Sequence, residues 1–427
     1  MLLFWLPKAL IILNLISEPD SSNSTSAGNP QTARPATYPR EQIPKQPVLS
    51  LSTFTQYFNS GIPSVLDAGT VRYVNRGCMA LGLALQDAQV GSNDEVLLPA
   101  YHCISMIEPV IWLGASPKFY RINPNTSIDL EDIEARITKD TRALLVAHYF
   151  GFPQDMVRIR TFCDTHRLLL IEDCAHAFFG AIGESPIGSF GDYAIASAWK
   201  FFPIYDGGLI VSNRRDLADI KLQAPGALTQ IKAMVNTIEQ AFEYQRLPFA
   251  HLLLKGPLLF KDFALKQFKR RAQIMPPTAG EPTTGLGGWG FDEALVHRKM
   301  SLSSQMITAL ASKRRIAERR RHNYRTLLSE LGNLRGCRPL FPTLPDGVVP
   351  QVFPLVFDSP ESAFRRLKHV GVPIIRFGEY LWEGMDVLTC PVSNDLSRRV
   401  FQLPCHQELL DSELNWMIDQ IRSESMR

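Results

Sequence analysis

The sequence predicts an α/β protein, with a large domain on a mostly parallel central sheet followed by a smaller C-terminal α+β domain. Two observations carry that prediction. Between residues 77 and 171, stretches of helical period alternate with short apolar runs of strand length. Beyond residue 300 a long helical pattern breaks the alternation. The chain has 427 residues, enough for two sizeable cores. We divide it into an N-terminal stretch at 1–50, a large domain at 51–305 and a small domain at 306–427.

The first sixteen residues, MLLFWLPKALIILNLI, are apolar but short for a bilayer span of about 20 residues, and Pro7 and Lys8 interrupt them. A weak signal or anchor, a surface-docking helix and a start codon placed too far upstream all remain open. Residues 18–48 are rich in Ser, Thr, Asn and Pro, the composition of a linker without a core. Helix-like Gly77 to Gln89 then gives way to strand-like Glu95 to Leu98. Helix-like Ser105 to Leu113 leads to strand-like Lys118 to Arg121, and Asp129 to Ile137 leads to Ala143 to His148. Arg158 to His166 reads as a helix before the strand at Leu168 to Ile171. Apolar runs this short, bounded by polar residues, suit central parallel strands.

Residues 225–296 read as a helical insertion. Within it, Gly256 to Arg271 has apolar residues at helical spacing with basic residues between them. That pattern suits a packing or lid helix, and membrane-surface contact stays open. Gly280 to Gly290 reads as a loop. Leu302 to Leu331 reads as a long helical region, with Ile307, Leu310, Ile316 and Leu327 packing beneath and Lys313-Arg314-Arg315 and Arg319-Arg320-Arg321 on a solvated face.

The stretch Arg167 to Asn213 carries the chemistry. One apolar run ends in Glu172-Asp173, with His176 close behind; a second precedes Lys200, which is followed by Asp206-Gly207-Gly208. A carboxylate at one strand end and a lysine at another suit pyridoxal phosphate. The lysine makes the Schiff base, and the acid keeps the ring nitrogen protonated. Such ligands bind at the carboxyl ends of strands in open α/β sheets. Trp199, Phe201 and Phe202 flank Lys200 with apolar surface that lowers an amine's pKa. Singly, Asp173 reads as a helix cap and Lys200 as a surface lysine; the order and the glycine pair favour the joint reading.

With those residues in view, the chain resembles the DegT/StrS-type nucleotide-sugar aminotransferases from about Thr53 to its C-terminus. Asn75-Arg76-Gly77-Cys78-Met79-Ala80-Leu81 is similar to the family's glycine-containing phosphate turn. Asp94 to His102 resembles its DEV-containing strand, and His148-Tyr149-Phe150-Gly151 a further segment. Glu172-Asp173-Cys174-Ala175-His176-Ala177 resembles its acidic signature, and Gly188-Ser189-Phe190-Gly191-Asp192 matches its GSFGD. Phe401 to His406 resembles its C-terminal strand.

The resemblance implies the fold type I architecture of pyridoxal-phosphate transferases. It implies that Lys200 bears the cofactor, Asp173 pairs with the ring nitrogen and His176 bonds the ring oxygen. Amides at Cys78 and Met79, beside Gly77, hold the phosphate with the Ser197 hydroxyl. Cys103 falls where the family stacks an aromatic ring, so Tyr101 or His102 is a candidate replacement; these two, His148 and Arg376 are the substrate-side candidates.

This sequence departs from the family in places. Ser197 and Lys200 are spaced S-x-x-K where the family has S-x-x-x-x-K, so Phe202 lands on the lysine position when counted from the serine. His297 stands before Lys299-Met300-Ser301 where the family has an Asn that reaches a partner subunit's cofactor.

The function expected is transfer of an amino group, from glutamate, to a nucleotide-linked keto-sugar in cell-surface polysaccharide or glycoconjugate biosynthesis, by a cytoplasmic homodimer acting on small molecules. A different pyridoxal-phosphate enzyme acting on an amino acid or acyl substrate, and a non-catalytic regulator, remain alternatives. Composition sets the outer limits. A net charge of +3 gives no case for nucleic acid. The seven cysteines are scattered with no C-x-x-C, which argues against a metal site and suits a reducing compartment.

Overall fold

The computed structural model describes residues 38–39, 41–55, 61–248, 290–386 and 388–426. The apolar residues 1–16 and the Gly256 to Arg271 segment lie outside them.

The large domain is built on seven strands: β1 (Thr70–Val74), β2 (Glu95–Pro99), β3 (Ser116–Tyr120), β4 (Thr141–Ala147), β5 (Leu169–Asp173), β8 (Tyr193–Ser197) and β9 (Gly208–Ser212). A hairpin of β6 (Ala181–Ile182) and β7 (Ser185–Pro186) interrupts them. The order is β1-β9-β8-β5-β4-β2-β3. All neighbours are parallel except those of β9, which runs against β1 and β8. The central strands β4, β5 and β8 are almost wholly buried, because helices cover both faces.

The helices of this domain are α1 (Gly77–Asp87), α2 (Glu108–Trp112), α3 (Leu130–Arg136), α4 (Met156–His166) and α5 (Ala227–Glu243). Helix α1 has Met79, Ala80, Leu81, Leu83, Ala84 and Leu85 all buried, the pattern of a helix enclosed within a core. Asp129 and Asp155 cap α3 and α4 by accepting from the N–H groups of Asp132 and Arg158. Of the expected insertion, residues 225–248, which include α5, and 290–296 fall within the described residues.

The long helical region is made of two helices, α6 (Leu302–Leu310) and α7 (Lys313–Leu331). Ala311 turns extended and Ser312 starts the second helix by accepting from the Arg315 N–H. Ile316 and Leu327 pack inward as expected, but Leu310 is exposed. The basic cluster is not a solvated face: Arg320 is fully buried, and Arg315, Arg319 and Arg321 pair with Glu408, Asp411 and Asp346.

The small domain has the sheet β10-β11-β13-β12, formed by Cys337–Pro339, Val352–Phe357, Val400–Pro404 and Ile375–Arg376, all paired antiparallel. Helices α7, α8 (Pro360–His369), α9 (Pro391–Arg399) and α10 (Asp411–Ser425) accompany it. Its core gathers Tyr324, Phe353, Phe401, Leu403, Met417 and Ile421. Ile43 belongs to the same core, Pro44 O accepts from His406 Nε2 at 2.8 Å and Ser50 Oγ donates to Glu408 at 2.7 Å. Residues 41–50, expected as the end of a linker, are therefore packed onto the small domain. Isolated apolar residues among prolines gave no period from which to see this.

Candidate active site

Parallel strands end on one edge of the sheet, and the expected site residues collect there. Asp173 ends β5, Ala147 ends β4 with His148 next to it, and Ser197 ends β8 just before a 3-10 turn, Ala198–Lys200. These residues line one pocket with His176, with Gly77 and Cys78 from the start of α1, and with Cys103, Ser105 and Met106 beyond β2. Phe377 closes the pocket from the small domain.

Burial pushes the Asp173 carboxyl up, opposed by the Ala175 N–H that donates to its Oδ1 at 2.8 Å and by Lys200. Burial pushes the Lys200 amine down, opposed by Cys103 and Asp173. Each charge thus steadies the other where water is scarce. His176 is driven well below its ordinary value, first by burial and then by the positive charge of Lys200. Its Nδ1 accepts from the Phe150 N–H at 3.4 Å, which leaves the hydrogen of the neutral ring on Nε2.

The start of α1 supplies donors. The first intrahelical bond is from Ala80 N–H to Arg76 O, 3.0 Å, so the N–H groups of Gly77, Cys78 and Met79 have no backbone acceptor within the helix. A β-carbon on Gly77 would stand 2.2 Å from Ser197 Oγ, so glycine there leaves the Ser197 hydroxyl its place against the start of the helix. Gly208 is as constrained: its β-carbon would meet Arg76 carbonyl atoms at 2.1 Å. The glycine pair after the lysine therefore lets β9 pass directly beneath the turn at 75–77. Gly207 N–H also donates to Asn75 O at 2.7 Å. A second tie runs from Asp206, whose carboxylate accepts from Ser301 N–H at 2.9 Å and from Ser301 Oγ and Ser304 Oγ at 2.6 Å each. Helix-terminal donors, a lysine, an acid and a neutral histidine in one pocket fit a phosphate-bearing cofactor with a basic ring nitrogen.

The short serine-to-lysine spacing is absorbed by the tight turn, and Lys200 faces the pocket, with Nζ 5.9 Å from the Trp199 ring centre. Phe202 instead packs with Phe178 and Phe179 in an aromatic cluster.

The remaining candidates are placed as follows. Cys103 lines the pocket with Sγ 3.0 Å from Ser105 Oγ, and burial raises its thiol. Burial likewise pushes the Cys78 thiol up to about 11. Tyr101 is buried and stacked on Tyr149 at 5.3 Å. His102 is buried, 3.0 Å from Ala100 O through Nδ1, and its Nε2 accepts from Trp382 N–H at 3.0 Å; burial pushes it down to about 4. His148 borders the pocket, but Nε2 meets Glu172 at 2.9 Å and Nδ1 accepts from Gln154 N–H at 3.1 Å, which occupies both nitrogens.

Arg376 makes its contacts outside the pocket. It sits 3.4 Å from Glu361, donates to Pro360 O at 3.2 Å and lies 4.2 Å over the Phe364 ring. Its pair is Glu361, and the next residue, Phe377, is the one that reaches the pocket. His297 is exposed, with Nδ1 3.2 Å from Lys221 O, outside this chain's pocket.

Sequence reasoning gave no role to Glu172. It is fully buried, and its Oε1 accepts from His148 and from Gly188 N–H at 2.8 Å. Its Oε2 accepts from Phe190 N–H at 3.0 Å and Gly191 N–H at 3.1 Å. Its place beside Asp173 and the glycine-rich 188–191 segment was the available signal. His148, Glu172 and Cys174 offer ligand atoms within 4.8 Å of one another, but the hydrogen bonds above already engage the His148 and Glu172 atoms.

Residues 40–238 match the model of the DegT/DnrJ/EryC1/StrS aminotransferase family. The GDP-perosamine synthase of Vibrio cholerae is 30% identical over 40% of this chain and 48% of its own length. The UDP-N-acetyl-3-dehydro-alpha-D-glucosamine 3-aminotransferase of Acidithiobacillus ferrooxidans is 36% identical over 33% and 39%. The chain thus spans about half the length, or less, of these curated relatives. Among solved structures, a putative sugar aminotransferase of Streptococcus pneumoniae in its PLP form shares the fold at TM-score 0.62 and 16% identity, covering 90% of this chain and 98% of that one. A Brucella abortus aminotransferase shares it at TM-score 0.58 and 18% identity, over 85% and 87%. Through residues 40–238, a little under half of its length, the chain is thus similar to the DegT/DnrJ/EryC1/StrS aminotransferases.

Proposed function

We propose that the chain is a pyridoxal-phosphate-dependent aminotransferase that moves an amino group, with glutamate as donor, onto the ketone of a nucleotide-linked sugar for polysaccharide or glycoconjugate biosynthesis. The meeting of Lys200, Asp173, His176 and the open N–H groups of α1 in one pocket carries the reading. Relatives named for GDP- and UDP-linked sugars support the substrate class.

When bound, pyridoxal phosphate supplies a carbonyl carbon for the amino nitrogen and a ring that draws electron density from the donor's α-carbon. Lys200 holds the cofactor through Nζ. The Lys200 amine would also move the proton at the donor's α-carbon. Its lowered pKa increases the neutral amine available near neutral pH. Asp173 keeps the ring nitrogen protonated, and His176 donates from Nε2 to the ring oxygen. The Gly77 to Met79 amides and the Ser197 hydroxyl hold the phosphate. Phe377 and the buried strand ends exclude water.

In this reading the chain works as a cytoplasmic homodimer, and exposed His297 serves the partner's site in place of its own. All seven cysteines are free, which suits a reducing compartment. Among the described residues no helix is long and apolar enough to cross a membrane.

The test is the visible spectrum of the cofactor-loaded protein with and without glutamate, beside Lys200→Ala. Glutamate should convert the lysine-bound absorbance to that of the aminated cofactor. Lys200→Ala should lose turnover and retain no cofactor after borohydride reduction and denaturation. Reduced cofactor on another lysine would sink the assignment.

A further inference from the structure

Arg320 lies amid the basic run of α7, yet it is fully buried. Its hydrogen bonds go to neutral oxygens. Nε donates to Gln407 Oε1 at 3.0 Å, Nη1 to Pro350 O at 3.2 Å and Gln351 O at 2.8 Å, and Nη2 to Lys200 O at 2.8 Å. The guanidinium carbon stands 4.5 Å over the Phe201 ring. Burial lowers its pKa to about 10, so it stays charged at neutral pH.

Placing a charge there costs desolvation that carbonyl partners offset only in part. What the charge holds is specific. Gln407 donates from Nε2 to Phe201 O at 2.8 Å while accepting from Arg320. Two successive carbonyls, of Lys200 and Phe201, are thus gripped by two side chains bonded to each other. The same guanidinium reaches Gln351, whose N–H donates to Phe150 O at 2.8 Å, and Phe150 N–H faces His176. The lysine turn and the histidine wall of the pocket share one anchor. The peptide plane between residues 200 and 201 fixes the root of the Lys200 side chain, so a rotation there swings the amine away from the pocket.

We propose that Arg320 is a positioning residue for Lys200: with Gln407 it pins the carbonyls of Lys200 and Phe201 and so aims the Lys200 amine into the pocket. This rests on the aminotransferase reading above.

The experiment measures how fast apoprotein takes added pyridoxal phosphate onto Lys200, by visible absorbance and by borohydride trapping with peptide mapping, together with kcat and KM. Arg320→Met keeps length and burial but removes the donors; Arg320→Lys keeps charge without the planar fork. The rate and kcat should each fall about tenfold or more in Arg320→Met, with KM held within about twofold and partial rescue in Arg320→Lys. Arg315→Met is the comparator. Arg315 joins the same helix to the same segment, through Glu408 and Gln407 O, without touching 198–201. A wild-type rate in folded Arg320→Met, or equal slowing in Arg315→Met, overturns the proposal. If Arg320→Met does not fold, Gln407→Met, which releases Phe201 O, is judged by the same criteria. Wild-type labelling at a lysine other than Lys200 sinks the function reading and this role with it. Labelling at Lys200 with no change of rate in the variants sinks only this role.

Discussion

Glu172 and Arg320 are opposite charges, both fully buried, that brace the same pocket from two sides. Glu172 accepts from His148 and three backbone N–H groups; Arg320 donates to three backbone carbonyls and Gln407. They differ in reach. The partners of Glu172 lie 16 to 24 residues away, whereas Arg320 reaches Gln407 across 87 residues and Lys200 across 120. The near node holds strand ends and the 188–191 loop in register. The far node joins the lysine turn to the small domain. A buried charge with neighbouring partners builds one domain; one with distant partners couples two.

The largest expected effect tests the near node. Glu172→Ala leaves three N–H groups and His148 without their acceptor in a dry site, at a cost of about 3–5 kcal/mol. Chemical denaturation should show that loss, and the variant's cofactor uptake should fall with its folded fraction. A loss below about 1 kcal/mol would mean that the loop at 188–191 finds other partners and that the two nodes are not comparable.

Protonation tests the same node more gently. Burial alone would raise the Glu172 pKa, but the His148 bond and the Gly188 and Gly191 N–H groups hold it below the ordinary 4.5. A folded pKa below the unfolded one gives stability that is present above pH 4.5 and lost as pH falls through the folded value. Each extra proton bound by the unfolded chain adds a slope of about 1.4 kcal/mol per pH unit. Urea unfolding below pH 4.5 should therefore be steeper in pH for wild type than for Glu172→Gln, by up to one proton. Equal slopes would show that Glu172 is not the group whose charge the loop stores. Arg320 has its own window at about 10 and above, so acid leaves the far node intact.

The same division explains what was legible. Asp173, His176, Ser197 and Lys200 sit in one short stretch where the strand pattern, the acid and the glycine pair constrain one another. Despite the altered serine-to-lysine spacing Lys200 lines the pocket, ahead of Gly208, which backbone contact at 2.1 Å fixes. The alternation of helix and strand was readable because each period is local. Arg320 was not readable: three arginines in a row look solvated, and only the tertiary fold shows that one of them turns inward. The break at Ser312 and the packing of Ile43 were hidden for the same reason, since their causes are a cap and a core formed from distant chain.

Arg376 carries the smallest expected effect and probes the edge of the small domain. In the sequence Arg376 stood among the substrate-side candidates. The anion it meets is Glu361, half-exposed, at 3.4 Å, with the Phe364 and Phe401 rings 4.2 and 5.3 Å from the guanidinium carbon. An ion pair open to water is worth about 0–1 kcal/mol and an arginine over an aromatic ring about 0.5–2 kcal/mol. Arg376→Ala should therefore lower stability by about 1–2 kcal/mol while KM for both substrates stays within about twofold. Restoring the apolar stem with Arg376→Met should recover about half of that loss, because the stem covers the rings whatever the charge does. A rise in KM of about tenfold, with the melting temperature unchanged, would place the guanidinium in the substrate's path. The small domain would then contribute a charge as well as Phe377 to the pocket.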